Sequence, residues 1–117
     1  MAVYALCMRR APIDSKHTES ARDHRVSVAA VSCQGFRTNN EDKDLMLQVT
    51  PNTYVLGVFD GHGGDRASAF VKQHLTRFFA QNKQLDFGSD EAITNLFLSM
   101  DKTFLELQPP MPDGTTV

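Results

Sequence analysis

Cysteine is scarce in this chain of 117 residues, which contains only Cys7 and Cys33. They lie far apart, and neither has a second cysteine or a histidine at metal-ligand spacing, so neither a disulfide framework nor a zinc site is predicted. An excess of basic residues is also missing, since 12 Lys and Arg stand against 14 Asp and Glu and the net charge is -2. The charge balance therefore does not suggest a nucleic-acid partner.

Long apolar runs are absent as well, so no membrane span is predicted. The first apolar run, in MAVYALCMRR, precedes its arginines, which is the wrong order for a secretory signal. Together with the rarity of cysteine, this predicts a reducing intracellular location, cytoplasmic or nuclear. With 41% hydrophobic and 22% charged residues, the composition is typical of a globular domain that can bury a core.

The hydrophobic pattern predicts three strands in the first half of the chain. Residues 1–25 mix both charge signs without periodicity and are interpreted as a flexible leader. Residues 26–35, VSVAAVSCQG, are rich in small and β-branched residues, which predicts a buried strand that encloses Cys33. DLMLQV and YVLGVF predict two further strands, and the TPNT between them predicts a hairpin turn.

Helical periodicity follows, and it predicts two amphipathic helices. The core-facing side of the first comprises Ala67, Phe70, Val71, His74, Leu75, Phe78 and Phe79. Its histidine is interpreted as a packing residue. The second helix is predicted to begin after Ser89, a favourable N-cap that two acidic residues follow, and to end before Pro109. The final DGTTV predicts the start of another strand.

Two acidic stretches carry the candidate metal chemistry. GFRTNNED places Glu41 and Asp42 shortly after Arg37, and VFDGHGG places Asp60 at the end of a predicted strand. If the two stretches meet, Glu41, Asp42 and Asp60 form a carboxylate cluster, which is repulsive unless it binds a cation. Oxygen ligands favour hard cations, so the predicted ion is Mg²⁺ or Mn²⁺.

The same stretches contain groups that suit phosphate chemistry. Arg37 can bind phosphoryl oxygens through its planar set of donors, and His62 can transfer a proton near neutral pH. Each motif alone has an ordinary structural interpretation, since Asp-Gly is usually a turn and Glu41–Asp42 resembles a solvated acidic turn. Their occurrence together favours the functional interpretation.

CQGFRTNNED together with LGVFDGHGGDRAS resembles the first two signature motifs of the metal-dependent protein serine/threonine phosphatases, the PP2C-like or PPM family. The resemblance covers residues 26–117, after the leader of residues 1–25. The terminal DGTTV is similar to the opening of the next family motif, although Asp113 stands where the family usually has a small residue. The implied fold is α+β, the N-terminal part of a four-layer α-β-β-α sandwich that this chain leaves incomplete.

The resemblance also implies roles for individual metal-binding residues. Asp60 would bridge two ions, Mg²⁺ or Mn²⁺, and the backbone carbonyl of Gly61 would bind one of them. Glu41 would bind the same ion as Gly61, while Asp42 would hold a water molecule on a metal. The family takes further metal-binding aspartates from a C-terminal portion, so this chain would provide only part of the site.

The implied activity is hydrolysis of phosphoserine and phosphothreonine in protein substrates by a metal-activated water. Arg37 would bind the phosphate, and His62 would be the general acid for the leaving alcohol. Two alternatives stay open. One is a catalytically inactive phosphatase-like module that binds phosphoproteins or metal, and the other is an interaction protein whose exposed sheet binds a partner chain.

Overall fold

The computed structural model describes residues 8–107, 110 and 112–117, and its strands and helices give the α+β class that the sequence predicts. The chain divides into two compact units, one ending at Asn40 and the other comprising Glu41–Val117. Within the described residues, no helix combines the length and apolar character needed to cross a membrane. Cys7 and Pro109 lie outside the described residues.

The first unit contains an antiparallel hairpin of β1 (Met8–Arg22) and β2 (Ser27–Arg37). Residues 16–22 pair continuously with residues 27–33, and the pairing is irregular nearer to the start of β1. The carboxylate of Asp23 closes the turn. It accepts hydrogen bonds from the backbone amides two and three residues further along the chain, at 2.7 and 2.8 Å. This local turn sets the register of the hairpin.

Residues 8–22, which the sequence predicts to be part of a flexible leader, form β1 instead. Every residue of β1 is exposed or half-buried. The strand therefore lacks the alternation of apolar and polar residues by which a half-buried strand is predicted from sequence. It is held by backbone pairing with β2. The prediction of a buried strand over residues 26–35 is wrong in its burial, since every residue of β2 is exposed or half-buried and Cys33 is exposed.

The second unit begins with the predicted hairpin, which is confirmed. It consists of β3 (Lys43–Thr50) and β4 (Thr53–Phe59), joined by a turn at Pro51 and Asn52. Alternate side chains of the hairpin point to one face, as the period of two requires. The buried residues of this face are Leu45, Val49 and Phe59.

The two predicted helices are also confirmed as α1 (Arg66–Gln81) and α2 (Asp90–Leu105). Helix α1 contacts both strands of the hairpin and α2. The helices complete the hydrophobic core with Val71, Leu75, Phe79, Leu96 and Met100. The predicted N-cap of α2 is confirmed, because the Ser89 hydroxyl accepts a 3.2 Å hydrogen bond from the Ala92 amide. His74 packs beside Phe70, with ring centroids 5.4 Å apart, as predicted for a packing residue.

A short antiparallel pair of strands contacts α1 in the second unit. Strand β5 (Gly61–His62) follows β4 directly and pairs with β6 (Gly114–Thr115). The strand predicted from DGTTV is therefore present. Its partner strand contains two of the predicted site residues, so β6 helps to position them.

Candidate active site

The hairpin of β3 and β4 brings the two acidic stretches together at one end. Lys43 pairs with Phe59, so the residues just before β3 and just after β4 lie at the same end of the hairpin. These residues are Glu41, Asp42, Asp60 and Gly61. The register of this hairpin therefore brings the two acidic stretches to the same end, which the sequence alone left undetermined.

Glu41 is anchored to this end of the hairpin by its backbone. Its carbonyl oxygen accepts a 2.5 Å hydrogen bond from the hydroxyl of Ser68, which is fully buried in the first turn of α1. The same carbonyl lies directly against Gly61, where a β-carbon would collide with it and with the Ser68 hydroxyl. Only glycine permits this close approach of the two backbone segments.

Asp60 is also anchored through its backbone. Its carbonyl oxygen accepts hydrogen bonds from the Thr116 amide and the Thr115 hydroxyl, both at 3.0 Å. The residue itself is exposed. The main chain is therefore tied to the β6 segment, while the carboxylate-bearing residue stays open to solvent and available to a ligand.

His62 lies on β5, two residues after Asp60, and is exposed. Its ring packs against Gly114, with Nε2 2.5 Å from the position that a β-carbon would occupy there. After His62 the backbone turns sharply into α1 through Gly63 (φ 73°) and Gly64 (φ 138°). L-residues with side chains are strained in such positive-φ conformations, so these glycines allow the helix to begin immediately after the site.

Arg37 lies at the end of β2, in the unit that ends at Asn40, and is exposed. Its backbone carbonyl accepts a 3.0 Å hydrogen bond from the Gln34 side chain. The other predicted site residues belong to the second unit. Grouping of Arg37 with Glu41 and Asp60 in one site stays a prediction.

Asp113 is one residue that sequence reasoning missed. Its side chain is completely buried, and its carboxylate accepts hydrogen bonds from the backbone amides of Arg66 (2.9 Å) and Ala67 (3.3 Å). The Arg66 guanidinium adds contacts of 3.3 Å from Nε and 2.9 Å from Nη2. Asp113 thus caps the N-terminus of α1 from 47 residues away. The only signal in the sequence was its departure from the small residue usual in the resembled family.

The surroundings of Asp113 determine its charge state. Burial raises the pKa of this carboxyl, but four interactions lower it: the backbone amide of Asp113, the Arg66 side-chain hydrogen bond, the Arg66 charge and the Arg66 backbone amide. Together they hold the pKa below the ordinary aspartate value. The carboxylate is therefore anionic at neutral pH, as a helix N-terminus favours.

Comparison with known proteins decides the family. The family model for Protein phosphatase 2C matches residues 26–116. The chain belongs to the protein phosphatase 2C family. The predicted resemblance is thereby confirmed, and the matched residues include both acidic stretches and the whole of β6.

Individual members of the protein phosphatase 2C family are similar at about one third identity. Protein phosphatase 2C homolog 2 of Schizosaccharomyces pombe is 32% identical over 103 residues, which cover 81% of this chain and 28% of that protein. Probable protein phosphatase 2C 56 of rice is 34% identical, with coverages of 83% and 29%. Probable protein phosphatase 2C 4 of Paramecium tetraurelia is 32% identical, with coverages of 80% and 32%. The chain thus spans about three tenths of the length of these relatives.

The residues at the end of the hairpin include several oxygen-bearing groups. Carboxylates from Glu41 and Asp60 and the carbonyl of Gly61 are hard ligands that suit Mg²⁺ or Mn²⁺. The backbones of Glu41 and Gly61 are in direct contact, so two of the residues that carry these candidate metal ligands lie on adjacent segments. Among the residues that the structure describes, no group of three or more His, Cys, Asp or Glu side chains is arranged to hold a metal ion. These oxygen ligands are thus of the kind that a hard cation prefers, and their role in binding one stays a prediction.

Proposed function

We propose that this chain acts as part of a metal-dependent protein serine/threonine phosphatase whose substrates are phosphoproteins and whose fold is the four-layer sandwich of its family. The observation that carries the proposal is the hairpin register, which sets Glu41 and Asp60 at one end. The contact between Glu41 and Gly61 supports it, because the family resemblance assigns metal binding to both of these residues and their backbones touch. Membership of the protein phosphatase 2C family supports the reaction class.

The metal-binding roles follow the residues already described. Asp60 and Glu41 would hold the ions through their carboxylates and Gly61 through its backbone carbonyl, with Asp42 holding a coordinated water. The hydrogen bonds to the carbonyls of Glu41 and Asp60 fix the main chain, so the carboxylates enter the site from rigid positions. When bound, Mg²⁺ or Mn²⁺ would lower the pKa of water and neutralise phosphoryl charge.

The remaining chemistry belongs to Arg37 and His62. Arg37 would bind two phosphoryl oxygens with its planar guanidinium and orient the phosphorus. As a water oxygen forms its bond to phosphorus and the bond from phosphorus to the seryl or threonyl oxygen breaks, His62 would donate a proton to that oxygen, so that an alcohol and inorganic phosphate leave. The exposure of both residues allows a phosphorylated protein to reach them.

Calorimetry of Mn²⁺ and inorganic phosphate binding to the 117-residue chain tests the site. Mn²⁺-dependent hydrolysis of p-nitrophenyl phosphate tests catalysis, and it is measured on a form of the protein that joins this chain to the family's further metal-binding aspartates. Asp60→Asn removes the proposed bridging carboxylate with little change of shape. Asp101→Asn, on the exposed side of α2, is the matched control because it removes one carboxylate elsewhere in the same unit. We expect hydrolysis and Mn²⁺ binding to be lost in Asp60→Asn and retained in Asp101→Asn.

Other outcomes separate the alternatives. Mn²⁺ or phosphate binding without hydrolysis would replace the phosphatase proposal with a binding module. Normal hydrolysis by Asp60→Asn at saturating Mn²⁺ would contradict the site assignment. Neither binding nor hydrolysis, together with tight self-association, would favour an interaction protein.

A further inference from the structure

The clamp segment, residues 113–116, contacts the site loop, residues 60–67, at three places. At the start of the loop, Thr115 and Thr116 donate hydrogen bonds to the carbonyl of Asp60. In the middle, Gly61 pairs with Thr115 and His62 with Gly114. At the end, the Asp113 carboxylate accepts hydrogen bonds from the first two backbone amides of α1.

No side chain at the start of α1 itself replaces Asp113 as the cap of this helix. Asp65 occupies the N-cap position of α1, but its side chain makes no capping hydrogen bond, and its carboxylate lies 3.2 Å from the Lys43 ammonium instead. The first amides of α1 therefore depend on Asp113 as their acceptor. Removing this carboxylate would leave the first backbone amides of α1 without their hydrogen-bond acceptor at a buried position.

The positive-φ turn makes the loop sensitive to this contact. Gly64 lies against the Asp113 carboxylate, where a β-carbon would be 3.2 Å from Oδ2. Glycine residues have a wide choice of conformations when unconstrained, so Gly63 and Gly64 keep their observed turn only while both ends of the loop are held. The segment that contains His62 and follows Asp60 is thus fixed by the clamp.

We propose that Asp113 is a positioning residue of the metal site, which fixes the loop of Asp60, Gly61 and His62 by capping α1 from the clamp segment. This inference rests on the proposed function, since it assigns the loop to metal binding. It also explains why an aspartate is accommodated where the family usually has a small residue. Arg66 balances the buried charge and adds the guanidinium contacts.

The test compares Asp113→Ala with Ser89→Ala in the 117-residue chain. Both remove an N-terminal helix cap, but Ser89 caps α2, which contributes no proposed site residue. Amide hydrogen exchange at residues 61–67 and calorimetric Mn²⁺ binding are measured on both. We expect Asp113→Ala to raise the exchange rates of residues 61–67 and to weaken Mn²⁺ binding by about tenfold, as loss of residues that orient metal ligands does. Ser89→Ala should change neither.

Asp113→Asn and Arg66→Gln keep the inference testable if Asp113→Ala does not fold. Asp113→Asn retains the shape and one acceptor oxygen, and should show the same changes to a smaller extent. Arg66→Gln retains the backbone donors and should perturb residues 61–67 least. Unchanged exchange at residues 61–67 in the folded Asp113 variants, or equal loss of Mn²⁺ affinity in Ser89→Ala, overturns the inference. If the unsubstituted chain binds no Mn²⁺, the proposed function fails and exchange alone decides whether Asp113 holds the loop.

Discussion

The hydroxyl of Ser68 donates a 2.5 Å hydrogen bond to the carbonyl oxygen of Glu41. A second acceptor, the carbonyl of Asp65, lies 3.0 Å away within the same helix turn. Ser68 is fully buried, so water cannot replace the hydroxyl as a donor. One side chain of α1 therefore ties the helix to the residue that precedes β3.

Ser68→Ala should destabilise the protein by about 1–3 kcal/mol, because it leaves the buried carbonyl of Glu41 without its donor. Urea unfolding followed by circular dichroism measures this change. Ser99→Ala is the matched control, since that exposed hydroxyl donates only to the Leu96 carbonyl of its own helix. We expect the control to change stability by less than about 0.5 kcal/mol. Equal effects of the two substitutions would contradict the structural role of Ser68.

Gly61→Ala should destabilise the protein by about 1–3 kcal/mol, because the new methyl group would overlap the Glu41 carbonyl and the Ser68 hydroxyl. It should also displace Glu41 from Gly61 and weaken Mn²⁺ binding. Urea unfolding and calorimetry give the two readouts. Gly88→Ala serves as the control, since an added β-carbon there meets only the Asp86 side chain at 3.2 Å. Stability of Gly61→Ala equal to that of the control would show that the two segments do not touch in solution.

Acidification should remove the stabilisation that Asp113 provides. Its folded pKa lies below that of the unfolded chain, so this stabilisation is fully present above the ordinary aspartate pKa of about 3.9 and is lost as the pH falls through the lower folded value. Urea unfolding at pH values from about 7 to about 3 measures this stabilisation, as the difference in the free energy of unfolding between the unsubstituted chain and Asp113→Asn. We expect this difference to be constant near neutrality and to shrink in acid. A difference that grows on acidification would reverse the assigned sign.

The two helices should respond differently to substitution of their N-cap residues. Ser89→Ala should cost about 1 kcal/mol, because the Ser89 hydroxyl caps the Ala92 amide. Asp65→Ala should cost no more than about 0.2–1 kcal/mol, the range for an exposed ion pair, because Asp65 pairs with Lys43 and caps nothing. Raising the salt concentration should reduce only the effect of Asp65→Ala. A larger loss in Asp65→Ala than in Ser89→Ala would contradict the observed capping.

Local patterns explain which parts of the fold the sequence predicts. The β3–β4 hairpin has apolar residues such as Leu45 and Phe59 beside a Pro-Asn turn, and both helices have apolar faces with a period near 3.6. The family motifs predict the metal-binding candidates of the second unit. These features lie within short windows of sequence, where residue type and spacing are sufficient evidence.

The features that sequence reasoning missed depend on distant or backbone contacts. Strand β1 has exposed or half-buried residues on both faces, so its side chains do not alternate in polarity. Asp113 and Arg66 are separated by 47 positions, and no local pattern indicates that they meet. Ser68 resembles an ordinary polar helix residue, although it is fully buried. Each of these depends on tertiary structure.

The distant cap of α1 also affects the order of folding. Local hydrogen bonds can form the body of α1 early, but its first turn requires closure of a long loop before Asp113 can contact Arg66. During synthesis at about 5–20 residues per second, the ribosome needs about 2 to 10 seconds to add the residues between them. We therefore expect the start of α1, and the turn that precedes it, to become ordered only after α2 has been synthesised.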